Sequence, residues 1–177
     1  MENEIEIRRA KLEDLNSLHH LHSFWIDKKQ IKQVFSPEQL NKIILESDVA
    51  VAVHNSKVVS YYLLNPFFET GNVAQRKEII KKLIGDGVLK EGRYAYSLQA
   101  GTDPDYTGRG LNRKVLNLLR AFTKDRYEYF IGIMPYGNEA TEKSSLKMGW
   151  KHFGDVGIGI LAVIATKDEN NEHERVG

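Results

Sequence analysis

A mixed α/β fold is predicted by three observations. Strand-like apolar runs alternate with segments whose apolar residues recur at helical spacing along nearly the whole chain. Asn55-Ser56-Lys57 separates the apolar runs 49–54 and 58–64, as the turn of a β-hairpin would. In Pro104-Asp105-Tyr106-Thr107-Gly108-Arg109-Gly110-Leu111 an apolar strand ends and a strongly periodic helix opens, with two glycines at the junction.

Taken in order, Ile5 and Ile7 alternate with Glu4 and Glu6 to give a short first strand. Leu12, Leu15, Leu18, Leu21 and Trp25 then make an amphipathic stripe. Ser36-Pro37-Glu38-Gln39 supplies a cap, a proline at the first helical position and a reciprocal Gln, ahead of Leu40, Ile43 and Ile44. The hairpin follows. Residues 65–92 carry turn residues, two phenylalanines and a helix over 73–84, ended by Gly85 and Gly87. Strand four is expected over 94–100. From Leu111 a helix places Val115, Leu118, Leu119 and Phe122 on one face and Asn112, Arg113, Lys114, Asn117 and Arg120 on the other. Strand five spans 127–134, stopped by Pro135 and Gly137. A short helix begins after Asn138, and 150–153 with 157–166 form the last hairpin. With no repeat and no linker, 1–166 is expected to be one domain, and the polar, charged 167–177 to be disordered.

Composition excludes several function classes. Of 177 residues, 41% are hydrophobic and 28% charged, as in an ordinary globule. Lys plus Arg number 25 against 24 acidic residues, so no basic field recommends a nucleic acid or a membrane surface as partner. There is no cysteine, which rules out disulfides, thiolate zinc sites and a catalytic thiol. The first residues lack the apolar core of a signal peptide, and the apolar run 158–164 is far shorter than the roughly 20 residues that span a bilayer. A cytoplasmic location is the resulting expectation. His19, His20 and His22 invite a metal reading, since His19 and His22 share a helical face. No third ligand accompanies them, so a solvated face is expected and no metal site is assigned.

Gly108 and Gly110 stand at a helix N-terminus, where unpaired N–H groups and the helix dipole favour a phosphate or pyrophosphate. A simple tight turn would use the same glycines. The dinucleotide fingerprint needs a third glycine where Arg113 stands, and the Gly-Lys-Ser/Thr of nucleotide hydrolases is absent.

Two segments instead resemble one family. The loop from Asp105 to Gly110 is similar to the Gln/Arg-x-x-Gly-x-Gly/Ala loop after the fourth strand of the GNAT (GCN5-related N-acetyltransferase) superfamily, with Asp105 where Gln or Arg is usual. Asn138-Glu-Ala-Thr-Glu-Lys-Ser-Ser-Leu-Lys-Met-Gly149-Trp150 resembles its Asn-(x)n-Tyr-Glu-Lys-Leu-Gly-Phe segment. With the strands and helices in order around them the resemblance covers residues 94–153, and the first half of the chain matches only in its order of elements. The resemblance implies the GNAT acyl-CoA N-acyltransferase fold, a mainly antiparallel central sheet with helices on both faces. Residues 65–92 then become the variable, substrate-facing part.

It also implies direct acetyl transfer from acetyl-CoA to an amine of a small molecule or peptide, with no covalent enzyme intermediate. Ala100, Gly101 and Thr102 match backbone positions that pair with the pantetheine amides where strands four and five splay. Thr107, Gly108, Arg109, Gly110, Leu111 and Asn112 match the pyrophosphate loop, with Arg113 and Lys114 placed to meet phosphates. Asn138 matches a side chain that bonds the pantetheine arm, and Asn is equally a strong helix cap; the roles can coexist. Ser145 stands where the family often places a tyrosine that protonates the departing sulfur. Serine is a weaker acid than a phenol and can at most donate a hydrogen bond there; a plain helix residue is the equal alternative. No general base is evident: strand four holds no carboxylate, and Tyr94, Tyr96 and Gln99 could order a water, with Glu69 or Asp103 as weaker candidates. Two other readings remain, a non-catalytic acyl-CoA-binding module of the same fold and a nucleotide- or phosphate-binding protein. Dimers are common in the family, so a homodimer is compatible with it.

Overall fold

The computed structural model describes residues 4–28, 34–65, 73–155 and 159–167, the side chains of 65 and 73–76 excepted. Their strands are β1 Glu6–Arg9, β2 Asp48–His54, β3 Lys57–Asn65, β4 Tyr94–Thr102, β5 Tyr129–Pro135, β6 Lys151–Asp155 and β7 Gly159–Ala165. Their helices are α1 Leu15–Asp27, α2 Pro37–Glu46, α3 Val73–Gly85, α4 Leu111–Thr123 and α5 Glu139–Lys147. The strand order is β1-β2-β3-β4-β5-β7-β6. β4 and β5 pair in parallel, whereas β1–β2, β2–β3, β5–β7 and β6–β7 are antiparallel. The fold is thus mixed α/β around a mainly antiparallel sheet, as the sequence predicts. Its contacts divide the chain into two compact units, Met1–Pro66 with Ser97–Phe122, and Phe67–Tyr96 with Thr123–Gly177.

In the first unit the hairpin turn is tighter than its three polar residues suggest. Lys57 already pairs with His54, leaving a two-residue turn in which Asn55 and Ser56 have φ of 51° and 60°. That conformation matches the right-handed twist of the two strands. Residues 48–53 of β2 are all buried; because successive side chains point to opposite faces, both faces of this part of the sheet are covered. α1 packs on β3 and α2 on β2. The capping box at α2 forms as read: Ser36 Oγ accepts from Gln39 N at 3.2 Å and Gln39 Oε1 from Ser36 N at 2.8 Å. Ahead of α1 the chain departs from expectation, because Leu12 opens a separate 3-10 turn, Leu12–Asp14, and is half exposed. A bidentate pair fixes that turn: Arg8 donates to Asp14 at 2.7 and 2.9 Å, and Lys11 N donates to the same carboxylate at 2.8 Å.

In the second unit, β5 lies between the first residues of β4 and all of β7, and β6 forms the edge. Ile80 and Leu83 of α3 join Leu89, Ile131, Leu161 and Val163 in one cluster, with Tyr94, Tyr96, Tyr129 and Ile133 packed against it. Odd-numbered β5 residues therefore face α3. The even-numbered Phe130 and Met134 are buried on the opposite face, where Ser145 of α5 meets the Met134 sulfur at 3.1 Å. Glu69, most of the expected tail and the 157–158 part of the last hairpin lie outside the described residues; Lys167 is exposed.

Candidate cofactor and catalytic site

Strand β4 ends in the first unit with Thr102, and Asp103 ties the chain back to the hairpin before it turns. Asp103 N donates to Val59 O at 2.8 Å, and its carboxylate accepts from Lys57 Nζ at 2.7 Å and from Asp105 N at 3.1 Å. A 3-10 turn over Pro104–Tyr106 follows, closed by Thr107, whose N and Oγ1 both donate to Pro104 O. Gly108 and Gly110 then take φ of 78° and 69°, left-handed values that cost other residues roughly 1–2 kcal/mol. A Cβ on either would meet no atom within 4 Å, so the loop's outer side is open.

The first helical bond of α4 runs from Lys114 N to Gly110 O. The N–H groups of Leu111, Asn112 and Arg113 therefore precede the intrahelical ladder and have no helical acceptor. Leu111 is buried and anchors the helix, while Arg109, Arg113 and Lys114 are exposed. Asn112 Oδ1 is buried without a hydrogen-bond partner. Glycine backbone, free first-turn donors and exposed cations together suit a pyrophosphate-bearing substrate such as CoA. Of the three β4 positions, Gly101 is the most constrained. A Cβ there would lie 2.9 Å from the rings of both Trp25 and Tyr61, and its carbonyl accepts from Ser60 Oγ at 3.2 Å. Ala100 and Thr102 flank it half-buried, and Thr102 Oγ1 lies 2.9 Å from Ser60 Oγ.

Asn138 and Ser145 belong to the second unit. Asn138 caps α5, its Oδ1 accepting from Thr141 N at 3.2 Å. Ser145 is buried, and its hydroxyl donates to Glu142 O at 2.7 Å; His152 Nε2 lies 3.4 Å away. A hydroxyl has one proton, and this one is engaged inside the helix. The β4–β5 ladder comprises Tyr94↔Tyr129, Ala95↔Phe130 and Tyr96↔Ile131.

The candidate bases fare unevenly. Asp103 is nearly buried, which on its own would raise its pKa, but the Lys57 ammonium and the Asp105 N–H hold it below the usual carboxylate range. A base so acidic is poorly matched to neutral pH. Burial pushes the Tyr61, Tyr62 and Tyr94 phenols up. Gln99 is buried, and Glu69 is not among the described residues.

The solvated histidine face is corrected. His22 is fully buried, because it completes the Leu18, Leu21, Trp25 stripe at helical spacing. Its Nε2 accepts from Phe35 N at 3.0 Å, so the neutral ring carries its proton on Nδ1. Gln99 approaches that ring. Burial first, and the charge of His19 second, push the imidazole down to about 4. Among the described residues no group of three or more His, Cys, Asp or Glu could hold a metal. No helix of the described residues is long and apolar enough to cross a membrane.

No protein-family profile matches the sequence, and no curated protein does. Solved structures do. An N-acetyltransferase from Staphylococcus aureus Mu50 superposes with a TM-score of 0.66 at 17% identity, over 93% of this chain and 99% of that one. The paia N-acetyltransferase from Thermoplasma acidophilum in complex with coenzyme A gives 0.69 at 16%, over 92% and 99%. This chain has the GNAT fold. The same GNAT fold supports other chemistry: the GphF GNAT-like decarboxylase in complex with isobutyryl-CoA superposes at 0.61 and 15%, over 92% and 100%. At such identities the likeness establishes the fold alone.

Sequence reasoning about the GNAT loop missed what holds it. Tyr106 Oη lies 2.6 Å from His54 Nδ1, and the Arg109 guanidinium carbon lies 4.9 Å from the Tyr106 ring centre. The only signal in the sequence was an aromatic residue just before the glycines, and nothing local tied it to a histidine 52 positions earlier.

Proposed function

We propose that this chain is an N-acyltransferase that moves an acetyl group from acetyl-CoA to the amine of a small molecule or peptide. The observation that carries this is the Gly108–Gly110 loop, whose positive φ values open α4 with N–H groups directed away from its own ladder, on a fold whose solved examples include a coenzyme A complex. In this reading the pyrophosphate docks on those donors, and Arg109, Arg113 and Lys114 add attraction. The free amine attacks the thioester carbon, the C–S bond breaks, and the acetyl group leaves as an amide. The amine's proton passes to solvent. The sulfur departs as thiolate, which a thiol pKa near 8.5 (about that of cysteine) permits around neutral pH. Ser145 is then a packing residue of α5 or at most orients the sulfur, because its proton already serves Glu142 O.

That engaged hydroxyl, with no evident base among the described residues, favours one other reading, an acyl-CoA-binding module without turnover. Steady-state thiol release from acetyl-CoA with a panel of amines separates them. Enzyme-dependent release with at least one amine, reduced by no more than about tenfold in Ser145→Ala, is the expected result, since a neutral hydrogen bond contributes about 0.5–1.5 kcal/mol. Tight CoA binding without release from any amine would favour the module.

A further inference from the structure

The glycine loop is braced from the β2–β3 hairpin at two points. At one, Lys57 reaches Asp103 at 2.7 Å; at the other, His54 Nδ1 meets Tyr106 Oη at 2.6 Å, with the two rings edge to face at 5.6 Å. Between these points runs the 3-10 turn Pro104–Tyr106 that delivers the chain to Gly108. Tyr106 is half-buried, while the Arg109 guanidinium lies over its ring at 4.9 Å and remains exposed. The geometry points to Tyr106 as a positioning residue: braced by His54, it holds Arg109 beside the glycine loop to meet the phosphates of an acyl-CoA.

This rests on the acyl-CoA reading and deepens it. An exposed arginine explores many rotamers, and stacking its planar guanidinium on a fixed ring reduces that freedom before a phosphate arrives. Asp105, also exposed, contributes a negative charge beside the loop, so a cation aimed at the phosphates has to come from another position. Arg109, placed between the two glycines, has a platform at Tyr106, and the platform has its own anchor.

The test is CoA affinity by calorimetry at low salt for wild type, Arg109→Gln, Tyr106→Leu and the double variant, with thermal melts to show that each is folded. Exposed ion pairs and cation–π contacts support modest effects: about fivefold weaker binding for Arg109→Gln and about threefold for Tyr106→Leu. Because Tyr106 acts through Arg109, the double variant should bind no more weakly than Arg109→Gln alone. Tyr106→Phe, which keeps the ring but loses the hydrogen bond to His54, should fall between wild type and Tyr106→Leu. If Tyr106→Leu weakens binding by the same factor in both backgrounds, or if Arg109→Gln has no effect, the positioning role is overturned. A wild-type chain that binds no CoA would instead overturn the acyl-CoA reading, a result distinct from either.

Discussion

His22 shows how much a single side chain can be redefined by its surroundings. Read along the chain it belongs to a run of polar histidines; folded, it lies on the buried face of α1 against the segment entering α2, stacked on Phe35 at 5.5 Å. Burial, helped by the charge of His19, holds its imidazole down to about 4, against about 6.5 in the unfolded chain. Between those values the unfolded state binds a proton that the folded state does not, so stability is full above about pH 6.5 and falls as the pH drops toward 4. The full shift corresponds to about 3 kcal/mol, an upper figure for a single site. The carboxylates held low by partners, Asp14 and Asp103, lose their contribution at lower pH, below their ordinary range. Urea unfolding at pH 7 and pH 4.5 should therefore show a marked loss for wild type and a clearly smaller one for His22→Gln, whose amide can still accept from Phe35 N. Equal losses would mean that another group controls this window.

Among the elements, the two capped helices test whether local grammar and function coincide. Ser36 closes a complete capping box on α2, far in sequence from the glycine loop, and its replacement by Ala should cost about 1 kcal/mol without touching CoA affinity. Asn138 caps α5 by one bond to Thr141 N and is also the residue that the GNAT resemblance assigns to the pantetheine arm. Asp caps about as well as Asn. Asn138→Asp should thus keep the stability that Asn138→Ala loses, again about 1 kcal/mol by denaturant titration. Equal CoA affinity in wild type and Asn138→Asp would leave capping as its whole role; weaker affinity at unchanged stability would add the second. The elements were legible because each carries its signal within a few residues: a cap and proline at α2, three polar residues between the apolar runs of the hairpin, a repeating apolar stripe in α4. The 3-10 turn at Leu12–Asp14 was not, since the bidentate Arg8–Asp14 pair that fixes it bridges a strand and a helix.

For the whole molecule, a ligand that binds only the folded chain should raise its stability by mass action. At a concentration one hundred times Kd, CoA should add about 2.7 kcal/mol and raise the melting temperature in a dose-dependent way. A melt unmoved by millimolar CoA, with wild-type protein folded throughout, would count against the acyl-CoA reading. What the sequence determined by itself was the order of the strands and α-helices and the left-handed backbone of the glycine loop, because helical and strand periodicity, caps and backbone-permissive glycines act over a few residues. Only the tertiary structure decided that His22 is core, that Ser145 is buried against the Met134 sulfur, and that Gly101 is needed beneath Trp25 and Tyr61. It also paired Tyr106 with His54 across 52 positions. Those facts depend on which distant segments meet, and burial and hydrogen-bond partners are properties of that meeting rather than of the residues alone.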